Sequence, residues 1–524
     1  MKIKKIAALG LAICTALVFS SCGFIAKKEK TTADGDMPVI KIWRQAGVAP
    51  SGYENPMNKP GYKEMTEVIE EKYGAKLDYI TPAAGQEQQQ FNLLLASREL
   101  PDIVTYWWNG VPGGPQKAID DGYIYSMDEK FLKENAPNFY KLIKDNPVYE
   151  KGTKTDEGDY YIFPKFFDYE GEKAINLYTN GWMMRGDWLE ELGLETPETI
   201  EEWYTVLKAF KEKKGAKAPM TGTSLARGFE GAFGFRTGFY HDGDTVKYGE
   251  YEEGYLEYIT TLNKWYKEGL LDSDIANVDS KMANSKILNG QAGVMWGFLG
   301  SGMGRLMSAA PDDKFSMIGV SSPVRNKGDK PEYNESANPV YGSGSIINPA
   351  SKHRELCAQI LDFGFSEEGN MLANFGVEGE SYKMENGYPK YTDKVIKNSE
   401  GFSMTDALNI YTSTTAGQGA WKEDYRYIEQ YYNLPQQKDA QKIWMQGNGA
   451  QHIMPTLAYT EEENKEKSKI NSDISSYIKE MQMKFITGVE PLSKFDSFRA
   501  ELKKMGIERL IELAQNAYDR YMER

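Results

Sequence analysis

From Val39 onward, apolar and polar positions follow a strand-and-helix rhythm. Val39-Ile40-Lys41-Ile42-Trp43 alternates as a strand does, and Met65, Val68, Ile69 and Tyr73 then recur at helical spacing up to Gly74, a residue suited to ending a helix. Leu77 to Ile80 predicts a second strand and Asp102 to Tyr106 a third. Between them, Gln86 to Arg98 predicts a helix carrying Phe91, Leu94 and Leu95. This βαβαβ series implies a largely parallel sheet with helices on both faces. A second series begins near Ile175. There Thr199-Ile200-Glu201-Glu202 forms a capping box, and Trp203, Val206, Leu207 and Phe210 fall at i, i+3, i+4 and i+7 on one helical face. Trp203, and by the same pattern Trp188 and Trp265, read as core residues. The C-terminus is helical: Phe495, Phe498, Leu502 and Met505 precede Gly506, and Leu510, Leu513, Ala517 and Tyr521 follow it.

The first residues follow a different pattern. Lys2, Lys4 and Lys5 precede an apolar run from Ile6 to Phe19, long enough for a signal h-region but short for a bilayer span. The run ends in Phe19-Ser20-Ser21-Cys22, so residues 1–21 read as a signal peptide. Lys27 to Asp36 is charged and rich in small residues, which makes 22–37 a flexible tether.

Composition narrows the function classes. The chain is 40% hydrophobic and 26% charged, and after the signal run no apolar stretch is long enough to cross a membrane. About 500 mature residues exceed one hydrophobic core, so two lobes are expected. A net charge of −14 argues against nucleic acid as a partner. Of three cysteines, Cys14 leaves with the signal and Cys22 ends it, so Cys357 remains alone in an amphipathic helix, where a small buried role fits best. Three histidines far apart give little basis for zinc or histidine catalysis. Asp272, Asp274 and Asp279 have part of a calcium-loop spacing but lack its glycine and terminal glutamate. GxSxG, P-loop and HExxH motifs are absent. No catalytic residue, metal or cofactor is expected.

Aromatics are abundant: 10 Trp, 34 Tyr and 22 Phe exceed what packing a polar chain asks for. Open α/β sheets bind ligands beyond the carboxyl ends of their strands, and two such ends carry tryptophan. Trp43 closes the first strand. Tyr106-Trp107-Trp108-Asn109 closes the third and enters the glycine-rich Gly110 to Pro115, so Trp107 or Trp108 should be exposed in a cleft. Gln291 to Gly297 repeats the design, delivering Trp296 into glycines. Trp182, Trp421 and Trp444 stand in weaker context, open between packing and ligand contact. A flat ring suits the CH face of a pyranose, with neighbouring amides to serve its hydroxyls. On this basis Trp296→Ala is expected to abolish binding and leave the thermal melt largely intact.

Several motifs in order resemble one family. They are Leu100-Pro101-Asp102-Ile103-Val104, the loop from Gly113 to Ile124, Tyr161-Ile162-Phe163-Pro164, Trp182 to Leu189 with Pro197 to Trp203, Gly290-Gln291-Ala292-Gly293, and Ala358 to Asn370. Over essentially the whole mature chain the sequence resembles the family 1 extracellular solute-binding proteins, specifically the large lipoprotein subgroup that serves ATP-driven sugar importers. The resemblance implies an α/β fold of two periplasmic-binding-protein-like lobes, each a mostly parallel sheet flanked by helices, with the ligand cleft between them. It places lobe 1 at 38–166 plus 322–376 and lobe 2 at 175–320 plus 380–524. It also implies sugar contacts from Tyr106 to Asn109 and from Trp296, and a lipid on Cys22, where Ser20-Ser21-Cys22 resembles a lipobox with Phe19 in place of the usual leucine. The loop Lys213 to Pro219 departs from the calcium loop of larger relatives, so no calcium is carried over. The expected partners are an oligosaccharide, an ABC transporter permease and the membrane surface, for a monomer on the extracytoplasmic face of the cell membrane. A surface carbohydrate-active enzyme, a binder of a non-sugar ligand such as a peptide, and a sensory partner of a membrane kinase remain as alternatives.

Overall fold

The βαβαβ series forms one half of a mixed sheet in this computed structural model, which describes residues 37–45, 52, 53, 55, 58–83, 85–223, 227–413 and 419–524. Residues 1–21, expected to be a signal peptide, Cys22, the expected lipidation site, and most of the expected tether lie outside the described residues. Strands in chain order are β1 (Val39–Trp43), β2 (Lys76–Ile80), β3 (Ile103–Tyr106), β4 (Phe163–Phe167), β5 (Asn180–Arg185), β6 (Met220–Thr221), β7 (Phe239–Asp242), β8 (Thr245–Tyr248), β9 (Val294–Phe298), β10 (Met317–Val320), β11 (Val340–Ile347), β12 (Tyr382–Glu385), β13 (Tyr388–Tyr391) and β14 (Trp421–Glu423).

The first sheet runs β14-β4-β11-β3-β1-β2. β1 pairs in parallel with both β2 and β3, as the two helical crossovers require. β11 returns antiparallel between β3 and β4, and β14 joins the edge parallel to β4. Trp421–Glu423, inside the span read as lobe 2, therefore belongs to the first sheet. The crossover helices are Pro60–Tyr73, ended by Gly74 in the left-handed region at φ 61°, and Glu87–Ser97.

The second sheet runs β10-β5-β9-β6, and only β6–β9 is parallel. The expectation of a mostly parallel second sheet is not met, for a topological reason. β5 enters from the linker after β4 and pairs with strands reached through more than one intervening element, so no single helical crossover fixes their direction. Helix Ile200–Lys214 begins at the predicted capping box: the Thr199 hydroxyl accepts from Glu202 N at 3.3 Å, and the Glu202 carboxylate accepts from Thr199 N at 3.1 Å. Trp188, Trp203 and Trp265 are buried in its core, as the periodicity predicted.

The C-terminal helix Ile507–Glu523 buries Leu510, Leu513, Ala517 and Tyr521. Its last turn reaches the loop before β4, where Arg520 Nε and Arg524 Nε each donate to Asp156 at 2.8 Å. Residues Pro38–Arg524 form one compact unit.

Candidate functional site

The aromatic residues at the end of β3 have opposite fates. Tyr106 stacks on Phe91 with centroids 4.0 Å apart and meets the edge of Trp43 at 5.6 Å. Trp108 is 0% exposed, packs on Phe91 at 5.1 Å and donates its Nε1 hydrogen to Val104 O at 3.1 Å. Trp43 and Trp108 are thus core residues rather than ligand contacts. Helix Glu87–Ser97 brings Phe91 across the face onto which both rings project. Asn109 is occupied within the fold, its Oδ1 accepting from Tyr161 OH at 2.6 Å and its Nδ2 donating to Gly342 O at 3.3 Å.

Trp107 points the other way and is 42% exposed. Its ring lies 5.1 Å from that of Tyr341 on β11 and passes over Gly342, where an added Cβ would stand 2.8 Å from the indole. Glycine at 342 leaves the room that this ring occupies beside the strand.

At the end of β9, Trp296 and Phe298 share a face, their centroids 5.6 Å apart. Trp296 is 9% exposed and pairs across the sheet with Trp182, while Phe298 is 47% exposed. The Arg227 guanidinium sits 5.1 Å over Trp296 and is held by Glu335 at 2.6 Å. Trp182 is buried against Trp203 and Phe229. Trp444 fills the space over Gly181 and donates to Val320 O at 3.0 Å, which makes it a packing residue. Trp421 is likewise buried, with Lys165 Nζ 5.6 Å from its ring.

Between the two sheets lies a cavity of about 470 Å³, within the range of small-ligand sites. Trp107, Phe167 and Tyr341 line it from the first sheet, Asn180 and Phe298 from the second, and Asn176 from the linker that joins them. Beneath the aromatics, Lys165 and Glu423 form a buried ion pair at 2.5 Å, with the ammonium 4.7 Å from the Phe167 ring and 6.0 Å from that of Tyr341. Burial, and then the Glu423 carboxylate, raise the Tyr341 phenol above its ordinary range, so this wall holds a neutral phenol at physiological pH. A larger cavity of about 640 Å³ opens nearby, lined in part by Arg227, Glu230, Arg236, Tyr333, Glu335 and Lys479.

The residues at 272–274 hold an internal cation. Lys286 Nζ donates to Asp272 at 2.7 and 2.8 Å and to Asp274 at 3.1 Å, filling the place a calcium would take. Among the described residues no cluster of three or more His, Cys, Asp or Glu could hold a metal, and no helix is long and apolar enough to cross a membrane.

Sequence reading located the strand ends but missed Tyr341, Phe298 and Asn176. The period of two that puts Phe298 on the face of Trp296 could have revealed Phe298.

The family model for bacterial extracellular solute-binding proteins matches residues 55–371. The chain belongs to this family. Among curated proteins, the chain is similar to lipoprotein LipO of Bacillus subtilis, 26% identical over 416 residues that cover 73% of this chain and 74% of LipO. The fructooligosaccharide ABC transporter substrate-binding protein FusA of Streptococcus pneumoniae is 20% identical over 497 residues, 88% of each chain. The crystal structure of alginate-binding protein AlgQ2 without calcium superposes with a TM-score of 0.72 at 25% identity, over 92% of this chain and 98% of AlgQ2. The α/β periplasmic-binding-protein fold is therefore that of the solute-binding family, whose members are non-enzymatic transporter components.

Proposed function

We propose that this chain captures an oligosaccharide in the cavity between Trp107 and Phe298 and delivers it to an ABC transporter permease. The observation that carries the reading is the pair of exposed rings, one on each sheet, facing a cavity with amide-bearing walls. Aromatic rings gathered around one concave space with a few polar groups mark a ligand site, and stacking on a sugar face uses an apolar ring while amides serve the hydroxyls. FusA, similar over most of its length, is named for an oligosaccharide cargo.

In this reading the lobes follow the two sheets, about 38–166 plus 322–376 and 175–320 plus 380–524, with Trp421–Glu423 returned to the first. Ligand contacts made to both lobes at once favour a closed arrangement, the form the permease would recognise. The N-terminal lipid on Cys22 would hold the chain at the extracytoplasmic membrane face, a reading that the name of LipO supports. Mass spectrometry of the membrane fraction should find a diacylglyceryl group on an N-terminal Cys22, and a free N-terminus elsewhere would remove the anchor.

The test is isothermal titration of the chain from Cys22 onward, with Cys22 replaced by serine, against oligosaccharides and peptides. A micromolar affinity corresponds to about −8 kcal/mol. Trp107→Ala and Phe298→Ala should each weaken binding by about tenfold, the equivalent of about 1.4 kcal/mol and near the worth of one ring stacking. Binding that ignores both substitutions would place the solute elsewhere.

A further inference from the structure

We infer that the solute of the aromatic cavity is a neutral glycan and that uronate-bearing chains are excluded, an inference that rests on the oligosaccharide reading above. A carboxylate moved from water into a cavity needs a cation or several donors to replace its hydration. The lining offers no cation, and the Asn176 and Asn338 amides each already donate to a backbone carbonyl. Among the described residues no lysine or arginine lines the cavity between Trp107 and Phe298. The ammonium beneath it, Lys165, is already neutralised by Glu423 at 2.5 Å, and the neighbouring Lys422 by Asp168 at 2.5 Å. The internal segments outside the described residues, 46–51, 54, 56–57, 84, 224–226 and 414–418, contain no lysine, arginine or histidine. The cations stand instead in the larger cavity, where Arg227 is paired with Glu335 and Arg236 donates to the backbone carbonyls of Asn334 and Gly449.

The polar groups that do face the aromatic cavity call for donors. Asn176 is buried, its Nδ2 donating to Glu423 O at 3.4 Å, and its Oδ1 has no hydrogen-bond partner among the described residues. That donor contact fixes which end of the amide is oxygen. A buried acceptor left open is costly until a hydroxyl or amide hydrogen reaches it, and the Glu423 carboxylate beside it accepts only. A sugar hydroxyl donates to such acceptors, whereas an ionised carboxylate can only accept. The −14 net charge of the chain adds a weaker, salt-screened repulsion of polyanions.

The experiment titrates the same protein with neutral gluco-, manno-, xylo- and fructo-oligosaccharides and with oligogalacturonates and alginate oligomers of matched length. At least one neutral class should bind, with every uronate at least about tenfold weaker because no cation in the lining replaces the hydration its carboxylate loses. An oligouronate that binds as tightly as any neutral glycan would overturn the neutral assignment and leave the oligosaccharide reading intact. Binding of a peptide with no response to either sugar class would overturn both. Glu423→Gln supplies a second arm, since it leaves the Lys165 ammonium without its carboxylate. The gap between neutral and acidic ligands should narrow about tenfold in this variant. A folded variant with an unchanged gap would overturn the Lys165–Glu423 pair as its source.

Discussion

The cleft-facing ends of the two sheets solve the same problem with different residues. On the first sheet the exposed ring is a tryptophan, Trp107, laid over Gly342 and braced by Tyr341, while the next residue, Trp108, goes fully into the core. On the second sheet the tryptophan is the inner residue. Trp296 sits against the core beneath Arg227, and the smaller Phe298, two positions further along the strand, reaches solvent. A strand delivers alternate residues to one face, so the second end stacks its two aromatics along that face. The first end breaks into a 3₁₀ turn at Trp108–Gly110 and sends consecutive tryptophans in opposite directions. Position at a strand end therefore marks where aromatics gather, and the local backbone decides which of them stays exposed.

Substitution within each pair should separate stability from binding. Trp108→Ala should cost the most, about 3–5 kcal/mol of folding stability as expected for a fully buried aromatic, read by denaturant unfolding. Trp107→Ala should change stability by no more than about 0.5 kcal/mol, as for surface sites. Trp296→Ala should follow at about 3 kcal/mol, a change from the sequence-based expectation of an intact melt, because its ring packs in the core beside Trp182. Phe298→Ala should again stay within about 0.5 kcal/mol. A Trp107 variant that unfolds, or a Trp108 variant that melts like the parent, would break the contrast between the two neighbours.

Much of the fold was legible because it is locally encoded. The βαβαβ order, the capping box at Thr199, the buried tryptophans 188, 203 and 265 and the buried Cys357 all follow from periodicity within one element. The site was legible only as an address. Whether Trp43 and Trp108 are covered depends on Phe91, which arrives from a helix and whose contact with them no local pattern encodes. Tyr341 follows a long stretch without periodic signal, and β14 pairs with β4 across more than two hundred residues of sequence. The direction of β5 in the second sheet is hidden for the same reason.

The buried carboxylates extend the contrast, and the smallest effect tests it. Near the first sheet, Glu423 is held by the Lys165 ammonium. Beside the second, in the 3₁₀ turn Glu230–Phe233, Glu230 is buried with no ion-pair partner among the described residues, and its Oε1 accepts a 2.5 Å hydrogen bond from the Thr237 hydroxyl. Burial raises this carboxyl to about 7. The Thr237 hydroxyl and backbone N–H groups oppose that rise, and the charge of Glu335 adds to it. The folded chain then holds a proton, between the ordinary carboxylate value of 4.5 and about 7, that the unfolded chain has released. Stability from this group is complete below about 4.5, falls as pH rises through that window and is level above about 7, a total on the order of 3 kcal/mol. Glu230→Gln cannot lose that proton, so its stability relative to the parent should climb across the window. Unfolding curves of both proteins at pH 4.5, 6 and 7.5 measure the difference. Parallel profiles would mean that Glu230 is as well compensated as Glu423, and that the two regions differ in their aromatics alone.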